Sequence, residues 1–144
     1  MASFITLSST LNPNISTSTQ IFESPKTPVV QTMKELVAEK AEEAGVSKDL
    51  ALRIAFCEST YRQFADDGKP LRGIHNPGDV GLFQINETYH IKQSIKLGYN
   101  IESTEGNIDY AMYLLKKSGA QPWSASKPCW GAVALKVAQA QEQV

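Results

Sequence analysis

The sequence has no apolar run close to the roughly 20 residues that a membrane-spanning helix needs, so we exclude a membrane span. It also has no excess of positive charge, because 14 Lys and Arg are scattered among 15 Asp and Glu, for a formal net charge of −1. Proteins that bind nucleic acid usually present a basic surface to the phosphates. We therefore do not expect nucleic acid as a partner.

Histidine and cysteine are scarce, with two of each in the chain. The cysteines, Cys57 and Cys129, have no second Cys or His at the spacing of zinc ligands, and there is no calcium loop or Gly-rich phosphate loop. We therefore expect no metal and no cofactor. A thiol nucleophile at Cys57 with His75 or His90 as its base is disfavoured, because nothing in the sequence brings a histidine near Cys57.

The two cysteines form either a disulfide or two free thiols, and the disulfide is our prediction. A bridge between Cys57 and Cys129 would close a long loop and stabilise the fold by roughly 2–5 kcal/mol. It would also hold the C-terminal region beside Glu58. A persistent disulfide would indicate an oxidising compartment.

The length of 144 residues suits one domain with one core. Residues 1–29 are rich in Ser, Thr and Pro and predict a flexible tail, whereas residues 30–144 carry the domain. The apolar segment Phe4–Leu7 is too short and too polar for a secretory signal. Either a signal was removed from this chain or export uses another route.

Periodic apolar residues predict a mainly α-helical fold with a small hairpin and loop region that forms a cleft. The predicted helices run from about residue 30 to Gly45, from Lys48 to Ser59, from Ile91 to Leu97, from Ser103 or Thr104 to Lys117, and from Gly131 to the end of the chain. The second helix is apolar on nearly every side, which indicates a central, buried helix. Residues 60–86 contain turn sequences and predict an irregular loop with at most a small β-hairpin.

Two features near the centre of the chain indicate a catalytic or binding site. Glu58 follows a strongly apolar helical run, and a carboxyl that loses solvation there has a raised pKa and can donate a proton near neutral pH. An exposed acid at a helix end is the structural alternative for Glu58. Gln84 and Asn86 alternate with apolar residues, so an extended segment would direct both amides to one face, where they could bind a sugar.

Several segments in this order resemble the lysozyme-like superfamily, and most closely the catalytic domain of the soluble lytic transglycosylases, over about residues 32–131. The segments that carry the resemblance are Cys57-Glu58-Ser59, Asn76-Pro77, Asp79-Val80-Gly81-Leu82-Phe83-Gln84-Ile85-Asn86, Asn107-Ile108 with Tyr113, and Pro122-Trp123-Ser124. The resemblance implies a lysozyme-like fold and cleavage of the β-1,4 bond between N-acetylmuramic acid and N-acetylglucosamine in peptidoglycan.

The resemblance also implies roles for individual residues. Glu58 matches the general acid, and Ser59 follows it as in the family pattern. Gln84 and Asn86 match the motif that lines the glycan cleft. Tyr113 matches an aromatic that commonly faces the catalytic centre. Trp123 is a weaker candidate for stacking on a sugar, and we expect it rather in the core or at the cleft rim. The expected substrate-binding residues are Ser59, Gln84, Asn86, Tyr113 and Trp123.

Asp79 decides between two reactions. In the lytic transglycosylases that this chain resembles, a single carboxylate is used: the same Glu acts as acid and then as base. Lysozymes of the superfamily carry an Asp at the position of Asp79, where it stays ionised beside the protonated acid. We expect a turn role for Asp79 and transglycosylation by Glu58, with hydrolysis by Glu58 and Asp79 as the alternative. A further alternative is a glycan-binding module of the cell wall without catalysis.

These inferences together predict a monomer that acts on peptidoglycan glycan strands. Its expected location is outside the cytoplasm, either secreted or in the cell envelope.

Overall fold

The computed structural model describes residues 30–132, and this part of the chain is mainly helical. The predicted tail over residues 1–29 and the predicted C-terminal helix beyond residue 132 lie outside the described residues. None of the helices within residues 30–132 combines the length and the apolar character that crossing a membrane requires.

The first two helices begin and end at local sequence signals. Helix α1 spans Met33–Ala44; Thr32 caps its N-terminus in a capping box with Glu35, and Gly45 ends it at a φ of 67°. It therefore begins later than the predicted residue 30. Helix α2 spans Lys48–Ser59, as predicted, and the Ser47 hydroxyl accepts a hydrogen bond from the Leu50 amide at 3.3 Å.

A small antiparallel hairpin follows a long irregular segment, which confirms the prediction for residues 60–86. Its strands are β1, Asp79–Val80, and β2, Ile85–Asn86, and Asp79 lies opposite Asn86. The tight connection over residues 81–84 leaves little room for regular pairing. The hairpin is also joined to the preceding loop by backbone hydrogen bonds, from the Gly81 amide to Leu71 at 2.8 Å and from the Gly73 amide to Asp79 at 3.0 Å.

Two more helices follow the hairpin. Helix α3 spans Glu87–Lys96 and begins four residues before the predicted start, directly after β2. Helix α4 spans Thr104–Ser118, with the predicted Ser103 as its cap. A 3₁₀ segment, Gln121–Ser126, then leads into helix α5, which begins at residue 127 and continues through residue 132. The sequence predicted a helix only from Gly131.

The core lies between α1, α2, α4 and the hairpin. Helix α4 contributes seven buried residues and α2 four, all on one side, so the prediction that α2 is buried on nearly every side was wrong. One side of α2 remains at the surface, where Phe56 is 49% exposed and its ring lies 6.0 Å from that of Tyr61. Consequently the end of α2 borders solvent, and this is where Glu58 lies.

Candidate active site

Glu58 occupies the last turn of α2, at a point where the chain reverses sharply. Thr60 and Tyr61, which follow it, both have positive φ angles, of 53° and 61°. Such angles are uncommon for residues with a Cβ and costly for a β-branched one, and they concentrate at functional sites. Among the described non-glycine residues the only other positive φ belongs to Gln84, which shares a cleft with Glu58.

This cleft consists of two adjoining cavities of about 430 and 310 Å³. Three residues, Glu58, Asp79 and Gln84, line both cavities. An elongated ligand that filled both would therefore pass directly over these three side chains. The arrangement suits a polymer that is bound on both sides of a reacting bond.

The surroundings of Glu58 raise the pKa of its carboxyl. Loss of solvent around Glu58 raises its pKa above the ordinary 4.5, and the negative charge of Asp79 raises it further. The Ser126 hydroxyl opposes both effects, because it donates a hydrogen bond to Oε1 of Glu58 at 2.5 Å and so favours the charged form. The net shift is upward, as general acid catalysis near neutral pH requires.

Asp79 is held differently. Its Oδ1 accepts hydrogen bonds from the side-chain amides of Asn86 at 2.8 Å and Asn76 at 3.3 Å. The expected turn role had its side chain bonding the loop backbone, but the side chain of Asn76 makes that contact instead, by accepting from the Gly78 amide at 3.1 Å. Asp79 thus faces Glu58 across the cleft from the hairpin, with side-chain amides as its partners.

Gln84 and Asn86 both line the larger cavity, but not by the predicted alternation along a strand. Gln84 precedes β2 in a turn at a φ of 48°, and its side-chain amide donates to the Gly81 carbonyl oxygen at 2.8 Å. The prediction of an extended segment was therefore wrong for Gln84. Asn86 donates to Asp79, and its Oδ1 is buried without a hydrogen-bond partner among the described residues.

Two buried amide side chains shape the connection between β1 and β2. Asn107 accepts from the Phe83 amide at 2.9 Å and donates to the carbonyl oxygens of Val80 and Ile101. Gln63 accepts from the Leu82 amide at 2.8 Å. The resemblance included Asn107, whereas Gln63 was missed because a lone Gln in a loop carries no recognisable signal.

Ser59 and Trp123 support the cleft mainly through backbone contacts. The buried Ser59 hydroxyl donates to the Leu82 carbonyl oxygen at 2.7 Å and thereby joins the end of α2 to the hairpin connection. Trp123 lines the larger cavity but is 4% exposed, and its indole donates to the Phe83 carbonyl oxygen at 2.8 Å. Both side chains are buried, so Ser59 has little surface for binding a sugar and Trp123 little for stacking on one.

Tyr113 does not line the cleft, so the expectation that it faces the catalytic centre was wrong. It borders a separate surface cavity with Lys40 and Asp109, and its hydroxyl accepts from the Gln93 side chain at 3.1 Å. Successive residues of a helix point about 100° apart, and in α4 it is Leu114 that faces the larger cavity.

The predicted disulfide between Cys57 and Cys129 is confirmed. It excludes a thiol nucleophile at Cys57 and fixes α5 against the end of α2. Because Glu58 follows Cys57 and Ser126 precedes Cys129 by three residues, the bridge also brings these two side chains together. The sequence analysis missed Ser126, although the predicted bridge already placed the C-terminal region beside Glu58.

His90 is a second residue that the sequence did not assign to the site. It lines the larger cavity, its Nδ1 lies 3.0 Å from the Tyr110 hydroxyl, and burial lowers its pKa. A neutral His90 adds no positive charge that would keep Glu58 ionised. Within residues 30–132, no three His, Cys, Asp or Glu side chains cluster as metal ligands would.

No protein-family model, curated protein or solved structure matches the chain. Inferences about function therefore depend on the geometry and chemistry of the cleft.

Proposed function

We propose that the chain is a lysozyme-like domain that cleaves the β-1,4 bond between N-acetylmuramic acid and N-acetylglucosamine in peptidoglycan. The observation that carries the proposal is the position of Glu58: a carboxyl with a raised pKa where two cavities meet. The order of the elements supports the fold assignment, because a helix-borne glutamate faces a small hairpin across an open cleft.

Glu58 begins the reaction as a general acid. Its proton passes to the glycosidic oxygen as the bond to the muramoyl C1 breaks, and positive charge develops on the sugar. The leaving saccharide departs with that proton. Glu58, now ionised, takes the proton of the muramoyl 6-hydroxyl, whose oxygen bonds to C1 and closes a 1,6-anhydro ring. The carboxyl is thereby restored to its starting state without consumption of water.

Hydrolysis is a second candidate, and the position of Asp79 favours it. Asp79 lines both cavities beside Glu58, and its charge contributes to the raised pKa of Glu58. A second carboxylate in this place would stabilise the developing positive charge or attack C1, and water would then complete the reaction. The two candidates share Glu58 and differ in the product.

Clearance of purified peptidoglycan tests the shared step. Replacing Glu58 with Gln removes the transferable proton, and we expect the turbidity loss to slow by about 10³-fold. Glu42→Gln is the matched control, because Glu42 is exposed on α1 and distant in sequence from every cleft residue. If wild type and Glu58→Gln clear the suspension equally slowly, the catalytic proposal fails, and retention on peptidoglycan would then support a glycan-binding module.

Mass spectrometry of the released saccharides separates transglycosylation from hydrolysis. A 1,6-anhydro end is one water lighter than a reducing end, so a single digest identifies the reaction. Asp79→Asn provides the second arm: hydrolysis through Asp79 predicts a rate loss of about 10²-fold or more, and transglycosylation by Glu58 alone predicts a small change.

The proposals for oligomeric state and location follow from the proposed substrate. We propose that the protein acts as a monomer on glycan strands, outside the cytoplasm. The disulfide supports such a location, since these bonds persist in oxidising compartments.

A further inference from the structure

Ser126 makes two contacts that a single hydroxyl proton cannot serve at once. Its Oγ lies 2.5 Å from Oε1 of Glu58 and 3.1 Å from the carbonyl oxygen of Trp123. A carboxylate and a carbonyl oxygen are both acceptors, whereas a hydroxyl has one proton and two lone pairs. The hydroxyl therefore donates to one of these oxygens at a time, and Oε1 of Glu58 is the nearer.

With Glu58 ionised, the Ser126 proton points to Oε1, and a separation of 2.5 Å is typical of a hydroxyl that donates to a charged oxygen. With Glu58 protonated on Oε2, Oε1 remains an acceptor and Ser126 still donates to it. The Trp123 carbonyl oxygen, at the longer distance of 3.1 Å, accepts from the Trp130 indole at 2.9 Å and does not depend on Ser126 for a donor.

The scaffold keeps Ser126 in place beside Glu58. Cys129, one helical turn further along, is joined to Cys57, which precedes Glu58. The Arg53 guanidinium on α2 also donates to the Trp130 carbonyl oxygen at 2.8 Å. Ser126 is therefore fixed relative to α2, so its Oγ stays within reach of Oε1 in both protonation states of Glu58.

We propose that Ser126 is the positioning residue of Glu58: it donates to Oε1 whether Glu58 is ionised or carries its proton on Oε2, so that Glu58 keeps one orientation as acid and as base. This inference rests on the proposed function for its catalytic meaning. Among the residues that the structure describes, Oε2 of Glu58 has no hydrogen-bond partner. Oε2 is thus the oxygen that remains to exchange a proton with the substrate.

Other charged and titratable groups also face Glu58, and the experiment must leave them unchanged. Asp79 faces it from β1, and Tyr89 and His90 face the same cavity from α3. The smaller cavity adds three groups from the long loop, namely Arg62, Arg72 and His75. Substitution of Ser126 removes none of them.

The test is a carboxyl-carbon NMR titration of Glu58 in the full chain, compared between wild type and Ser126→Ala. Loss of the donor removes a contact that favours the charged form, so the pKa of Glu58 rises further in Ser126→Ala. Ser124→Ala is the matched control, because Ser124 is an exposed serine of the same 3₁₀ segment. Ser126→Thr keeps the hydroxyl and restores the wild-type titration.

Kinetics with peptidoglycan provide the second measurement. Ser126→Ala is expected to lower kcat about fivefold with KM nearly unchanged and to move the alkaline limb of the pH profile upward, whereas Ser126→Thr recovers the rate. If Glu58 titrates alike in Ser126→Ala and Ser124→Ala, the proposal is overturned. If the titration shifts but neither wild type nor any variant cleaves peptidoglycan, the hydrogen bond from Ser126 to Glu58 stands and the proposed function fails.

Discussion

The two walls of the cleft are held in place by different kinds of interaction. The helical wall, formed by the end of α2 and residues 121–132, is joined by the Cys57–Cys129 bond. The hairpin wall, residues 79–86, is held by the buried amides of Gln63 and Asn107. The first wall carries Glu58 and the second carries Asp79.

Because the two walls are held differently, we expect them to respond to different substitutions. A covalent bond stabilises chiefly by restricting the unfolded chain, so its effect depends on the length of the closed loop more than on local shape. The amide contacts require the backbone at Gly81 to pass very close to two side chains. The helical wall should therefore respond most to loss of its bond, and the hairpin wall to small steric changes.

The largest expected effect is removal of the disulfide. The bridge spans a sequence separation of 72, and closure of such a loop contributes about 4 kcal/mol to the free energy of unfolding. Denaturant unfolding of the Cys57→Ser, Cys129→Ser double variant should show this loss. Reductant should reproduce it in wild type and have no effect on the variant. A loss below about 1 kcal/mol would contradict a major role for the covalent bond in stability.

The next effect concerns Gly81, whose φ is +73°. A Cβ there would lie 2.5 Å from the Gln63 side chain and 2.6 Å from that of Asn107. Gly81→Ala should cost about 3 kcal/mol in the free energy of unfolding, from backbone strain together with overpacking.

Gly68→Ala is the matched control for this variant. Gly68 has a φ of +79° with nothing within 4 Å of an added Cβ, so only strain remains, at about 1 kcal/mol. Equal losses at the two positions in denaturant unfolding would mean that the close approach at Gly81 does not hold the hairpin wall.

The same contrast explains how far the sequence could predict the structure. Helix α2 was predicted at its observed bounds because Ser47 and the apolar pattern are local signals. Helix α3 began earlier than expected because its cap, Asn86, makes no side-chain cap hydrogen bond and belongs to the hairpin as well. The bounds of a helix could therefore be predicted where its capping residues and its apolar periodicity agreed.

The site was predictable only in part, for a related reason. The residue types of Glu58 and Asp79 carried a signal, but the rotation of α4 is set by packing, and this turned Tyr113 away from the cleft and Leu114 toward it. Gln84 reaches the cleft through a left-handed turn that Gln63 and Asn107 help to build. Contacts distant in sequence leave no local pattern.

The smallest expected effect compares one carboxylate from each wall. Burial raises the pKa of Glu58, so the folded state binds this proton more tightly than the unfolded chain. The stabilisation is fully present below the ordinary value of 4.5 and is lost as the pH rises through the folded-state pKa. Glu58→Gln should therefore raise Tm by a few degrees at neutral pH and leave it unchanged below 4.5.

Asp79→Asn should change stability in the opposite direction at neutral pH. The substitution weakens the charge-assisted hydrogen bonds from Asn86 and Asn76, at a cost of about 1 kcal/mol. Thermal unfolding of both variants at neutral pH tests the pair of signs. A lower Tm for Glu58→Gln would mean that its carboxylate stabilises the fold, and the cleft would then lack the desolvated acid that the proposed chemistry needs.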